Sequence, residues 1–187
     1  PDDFFILQNS LNFEQYKLTN SQSFFSFKNG ISNNINFSSI LKRSSIDQPT
    51  YPRRGSEFSL SLRVTPPYSM FDGITDYSNL TNQDRYKYLE YYKLKFTGEW
   101  FFPLTKDNKL VLMPRIGFGF MGAYNAAKGL TPFERFTVGG SGLSGVNQIG
   151  GREIIAMRGY EDGALSSSAG DPLVAKYTLE LRYPISL

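Results

Sequence analysis

The sequence predicts an all-β chain: six antiparallel strands of a transmembrane β-barrel, with one long extracellular loop folded into the lumen. Three observations carry this expectation. Apolar and polar residues alternate with a period of two over several long segments. The aromatic share is high, 16% of 187 residues, built from 16 Phe and 12 Tyr. The connections between the segments run long, short, long, short, long, as in barrels with short periplasmic turns and long outer loops.

The first strand spans Phe4–Leu18, with Phe5, Leu7, Leu11 and Phe13 on one face, and the second spans Asn34–Ser44, with Ile35, Phe37 and Leu41 together. Ser56–Thr65 alternates without error. Phe58, Leu60, Leu62 and Val64 share one face, and Glu57, Ser59, Ser61, Arg63 and Thr65 the other. Tyr88–Phe102 sets Tyr88, Tyr92, Leu94, Phe96, Trp100 and Phe102, interrupted by Glu90 and Gly98, against Lys93, Lys95, Thr97 and Glu99. Leu110–Tyr124 sets Leu110, Leu112, Ile116, Phe118 and Phe120 against Arg115, Gly117 and Gly119, with Val111 and Met113 less polar on that second face. Ala175–Leu187 sets Tyr177, Leu179, Leu181, Tyr183 and Ile185 against Lys176, Thr178, Glu180 and Arg182. Several of these runs reach the roughly 9–11 residues that a tilted strand needs to cross a bilayer. Alternation alone also fits a soluble sandwich; strand length and aromatic content favour the membrane.

The connections follow from the turn chemistry. Residues 19–33 form a Ser/Asn/Gly-rich link, 45–55 a turn with Pro49, Pro52 and Gly55, 66–87 a polar excursion, and Lys106-Asp107-Asn108-Lys109 a tight turn. Residues 125–173 make the longest connection. Two strands close with aromatic-Pro-aliphatic, at Phe102-Pro103-Leu104 and Tyr183-Pro184-Ile185. Such ends fit either plain strand termination or a membrane–water interface at the periplasmic side. Six strands fall short of the about 8 with which known single-chain barrels begin. The chain starts at Pro1 and stops at Leu187 within strand patterns. It therefore reads as part of one barrel domain, residues 1–187, that further sequence completes.

Composition narrows the chemistry. Cysteine and histidine are both absent, which removes disulfides, thiolate or imidazole metal sites and His-based nucleophile pairs. No catalytic residue, cofactor or metal is expected. The net charge of +3 comes from scattered Lys and Arg, so nucleic acid is not an expected partner. Gly140, Gly142 and Gly145 match the spacing of a dinucleotide loop, but Val146–Gly151 is a poor helix, so no phosphate site follows. The loop glycines Gly139, Gly140, Gly150 and Gly151 read instead as backbone freedom for sharp turns and close approach to a wall. Arg158, in Arg158-Gly159-Tyr160, is either solvated or buried. If it enters the lumen, its guanidinium needs a carboxylate, and Glu180 and Glu99 are available on the polar faces.

Three stretches carry a resemblance. Pro132-Phe133-Glu134-Arg135-Phe136 leads to Gly139-Gly140; Gly151-Arg152 precedes Met157-Arg158-Gly159-Tyr160; Leu179–Ile185 closes the pattern. Together they resemble the barrel of the BamA-like outer-membrane assembly factors, within the outer-membrane protein insertase superfamily, in a form similar to that of Bacteroidetes. The resemblance implies a 16-stranded barrel of which these strands are the seventh through twelfth. It implies that Arg158, Gly159 and Tyr160 lie on a lumen loop whose arginine contacts acidic residues of the wall. It implies a Gram-negative outer-membrane location, lipids, unfolded outer-membrane protein clients and accessory subunits as partners, and protein insertion without nucleotide hydrolysis. A secretion pore of the same superfamily and a passive porin are the alternatives.

Overall fold

A computed structural model of the chain describes residues 4–21, 27–74, 76–140 and 151–185. Its main element is a six-stranded antiparallel sheet in the order β1-β2-β3-β4-β5-β8. The strands are β1 (Phe5–Leu18), β2 (Gly30–Ser44), β3 (Gly55–Val64), β4 (Tyr92–Pro103), β5 (Val111–Gly122) and β8 (Leu173–Arg182). Two short strands, β6 (Phe136–Val138) and β7 (Glu153–Ile155), pair in parallel within the connection from β5 to β8. The excursion between β3 and β4 holds a single 3-10 turn (Tyr68–Met70) and a four-residue helix, α1 (Asn82–Arg85), capped by Thr81.

The register turns the alternation of each strand into two continuous faces. One row, Leu7–Leu41–Leu60–Phe96–Phe118–Ala175, runs across all six strands and is apolar throughout. Leu60 and Phe118 are 38% and 39% exposed, and Leu11, Leu179 and Leu181 more than 60%, although each is large and hydrophobic. Among the described residues no second layer covers this face. A face this apolar would be an aggregation surface in water and is the expected exterior in hydrocarbon.

Aromatic rings bracket the face at both ends. Tyr92 packs against Phe120 and Tyr124 at one end, with ring centroids 5.9 and 5.4 Å away, and Phe5 meets Phe58 at the other, 6.2 Å apart. Tyr92 and Phe102 begin and nearly end β4, ten residues apart. At about 3.3 Å per residue and a tilt near 40°, that span projects to about 25 Å along a bilayer normal, the height of the apolar band of an outer-membrane barrel.

Three boundaries differ from the sequence expectation. The second strand starts at Gly30 instead of Asn34, so the first connection, 19–29, is nearly equal in length to the turn at 45–54. The polar run Ser32-Asn33 hid the strand character of residues 30–33; Ser32 faces inward in line with Asn34 and Asn36, and all three are fully buried. β4 starts at Tyr92 instead of Tyr88, since Leu89 and Tyr91 leave the ladder to join a buried cluster with Tyr86, Met121, Phe133 and Phe136. β8 ends at Arg182, with Tyr183, Pro184 and Ile185 beyond it.

Candidate functional site

The polar face of the sheet is where the long connection returns, and one carboxylate holds it there. Glu134 sits in the left-handed backbone region (φ 66°), a conformation that for a non-glycine residue costs about 1–3 kcal/mol. It is almost fully buried and meets four adjacent strands. Tyr16 of β1 donates to Oε1 at 3.0 Å, Asn34 of β2 at 3.2 Å, and Arg63 of β3 donates to Oε2 at 3.0 Å. Lys93 of β4 lies 3.5 Å from Oε2 and donates to the Glu134 carbonyl at 2.6 Å.

Lys93 is the hub of this arrangement. Its side chain is 3% exposed, and it also pairs with Glu153 of β7 at 3.0 Å while lying 4.6 Å from the Phe136 ring centroid. Lys95 on the same face of β4 reaches the other Glu153 oxygen at 2.8 Å. Glu14 of β1 completes the cluster through Asn34, 3.0 Å away, and Tyr16, 2.8 Å away. Three carboxylates (Glu14, Glu134, Glu153) therefore balance three cations (Arg63, Lys93, Lys95). A charge-balanced, hydrogen-bonded cluster can be buried, whereas any one of its members left alone could not.

Packing reinforces the charges. Phe133 stacks on Tyr16 with centroids 4.8 Å apart and planes 9° from parallel. Phe136 fills the space above Gly119 of β5, where an added Cβ would come within 2.5 Å of the Phe136 ring and 2.9 Å of Val174. Gly119→Val is accordingly expected to destabilise loop docking by about 1–3 kcal/mol through overpacking. A urea titration of the folded barrel would read this, and adding Phe136→Ala should recover much of it; an unchanged midpoint for Gly119→Val would refute the close approach. A second ion pair fastens the excursion between β3 and β4. Lys128 donates to Glu90 at 3.0 Å, and Glu90 accepts from the Ser69 amide at 2.8 Å and hydroxyl at 2.6 Å.

Burial pushes the Glu153 carboxyl up, but Lys93 and Lys95 hold it below its ordinary value of 4.5. A depressed carboxylate stabilises the folded state above its unfolded value, and that contribution is lost as pH falls through the folded one. Protease protection of the loop should thus be constant near neutrality and fall with acidification below about pH 4.5. Glu153→Gln should flatten that part of the profile; an identical acid profile in the variant would remove Glu153 from the latch.

The residues singled out in the sequence are placed differently. Met157–Tyr160 forms a turn closed on Gly140, which donates to the Tyr160 carbonyl at 3.0 Å and accepts from Met157 at 3.0 Å. Gly139 and Gly140 (φ 135° and 69°) abut Glu161 and Asp162 of the loop itself, Gly151 abuts the Tyr16 ring of β1, and Gly150 lies outside the described residues. Arg158, Gly159 and Tyr160 are exposed at the tip of the turn. Arg158 meets neither expected carboxylate. Glu99 pairs with its direct cross-strand neighbour Arg115 at 2.7 Å, and Glu180 with Arg182, two residues along the same face, at 2.6 Å. Register supplies the nearer cation for Glu99, and the period of two along β8 supplies that for Glu180. Glu134 received no role from the sequence; the available signal was Arg63, Lys93 and Lys95 on adjoining polar faces with few facing carboxylates.

An antiparallel sheet with an uncovered apolar face, whose polar face carries a returning loop ion-paired to it, is the class of wall segment found in outer-membrane β-barrels. The Omp85 superfamily domain matches residues 5–187, and the chain belongs to that superfamily. Its members are outer-membrane transporters and insertases without enzymatic activity. Among solved structures, the chain is similar to BamA from Haemophilus ducreyi lacking POTRA domains 1–3. The TM-score is 0.57 at 17% identity over 81% of this chain, which spans 25% of that one. No curated protein sequence matches significantly.

Proposed function

We propose that the chain is the central wall of a BamA-like insertase, strands seven through twelve of a closed 16-stranded barrel, with 125–173 as its lumen loop. The intact protein would fold and insert other outer-membrane proteins in a Gram-negative outer membrane without nucleotide hydrolysis, alongside accessory subunits. The Bacteroidetes form is a reading of the motifs alone. The observation that carries the proposal is the loop strapped to four strands through Glu134 beneath a hydrocarbon-facing exterior. An insertase must open a seam so that client strands can pair their backbone groups while entering lipid. A wall far from the seam, stiffened by a strapped loop, keeps its shape during that movement. The exposed Arg158 tip would then meet acidic residues of wall strands beyond β8.

Arg158→Ala in the full-length protein, expressed during depletion of the wild type, tests the reading. The expected outcome is a several-fold fall in outer-membrane protein levels, read by immunoblot across several clients. Loss of one exported substrate with unchanged barrel proteins would favour the secretion pore. Changed solute permeability alone would favour a porin. Wild-type assembly would reject a role for the tip.

A further inference from the structure

Arg43 stands on the wrong face for a charged residue. Its cross-strand neighbours are Phe5 and Phe58, and it shares the face of Leu41, Leu7 and Leu60. It lies one residue from the end of β2, on the side of the short turns. The guanidinium carbon is 5.9, 5.8 and 5.9 Å from the ring centroids of Phe4, Phe5 and Phe58. One terminal nitrogen, Nη1, donates to the hydroxyls of Ser45 at 3.2 Å and Ser56 at 3.3 Å. Among the described residues no carboxylate pairs with it.

A lipid-facing arginine is destabilising by about 2–4 kcal/mol at the bilayer midplane and by about 0–1 near the interface. This one sits at the interface, with its stem on aromatic rings and its head oriented by two hydroxyls. Nε and Nη2 are left to donate, in the fork that matches a phosphate. The adjoining turns add Arg53, Arg54, Lys106 and Lys109 against Asp47 and Asp107, so this end of the wall is basic. We infer that Arg43, with Ser45 and Ser56, binds the phosphate of a phospholipid headgroup in the leaflet on the short-turn side, with the acyl chains lying along the Phe5–Phe58 face. The inference rests on the membrane-spanning reading and not on insertase activity, so it stands or falls separately from the proposed function.

Native mass spectrometry of the full-length protein, released from micelles doped with phosphatidylglycerol, diacylglycerol or inorganic phosphate, tests this. The wild type should retain phosphatidylglycerol and not diacylglycerol. Arg43→Gln should lower that retention about tenfold, the scale of one lost charge-assisted contact. Arg43→Lys should retain part of it. Arg54→Gln, whose guanidinium bonds only Asn108 among the described residues, should behave as wild type. Equal retention in wild type and Arg43→Gln, retention of diacylglycerol, an equal loss in Arg54→Gln, or binding of inorganic phosphate without lipid would each overturn the site. Gel mobility before and after heating verifies that each variant is a folded barrel.

Discussion

Glu134→Ala should release the long loop from the wall. The substitution strips a partner from Tyr16, Asn34, Arg63 and Lys93 at once and leaves Lys93, 3% exposed, with Glu153 as its one remaining carboxylate among the described residues. Breaking a buried ion pair by deleting one member typically costs about 3–5 kcal/mol, because the remaining charge stays desolvated. Part of that loss would be offset by relief of the left-handed backbone, if the freed loop relaxes. The strands themselves keep their ladders and lipid contacts, so the barrel should still form. The expected phenotype is a folded barrel that loses heat-resistant gel mobility at a lower temperature and is cleaved by protease within 125–173. Glu134→Gln, which keeps the hydrogen bonds and loses the charge, should fall between the two. A Glu134→Ala protein with wild-type heat resistance and loop protection would show that the cluster holds nothing.

Leu60→Arg addresses the environment of the outer face and gives an answer whose sign is decisive. Leu60 lies in the middle of β3, between Leu41 and Phe96. If hydrocarbon surrounds it, arginine there should cost about 2–4 kcal/mol. If water surrounds it, the same change is a surface substitution within about 0.5 kcal/mol of neutral. Reversible unfolding of the full-length barrel in lipid vesicles by guanidinium provides the measurement, with Leu60→Phe as the conservative control. A neutral Leu60→Arg would remove the membrane from the interpretation of this chain altogether.

Local pattern made much of this fold legible. Within a strand the side-chain period is two, and lipid imposes the same requirement on every outward position. Leu60, Leu94 and Phe118 could therefore be assigned a face without knowing their neighbours. The strand pattern was carried too far back at Tyr88–Tyr91, where Glu90 interrupts the alternation and Leu89 and Tyr91 are buried by a cluster assembled from distant segments. Ile31, Ser32 and Asn33 fell in the Ser/Asn/Gly-rich link for a related cause. They pair with Lys17, Tyr16 and Gln15 of β1, partners that local composition does not reveal.

The loop motif shows the boundary most clearly. Arg158-Gly159-Tyr160 drew notice through its resemblance, yet within these residues it is an exposed turn, while the carboxylate that ties the loop down is Glu134. That residue is 71 positions from Arg63 and 41 from Lys93. Sequence alone determined which side of each strand is greasy, because that property repeats every second residue and answers to solvent. Which charges meet on the other side was decided only by tertiary structure. An ion pair depends on strand register and on where the loop lands, and both arise from contacts between residues far apart in the chain.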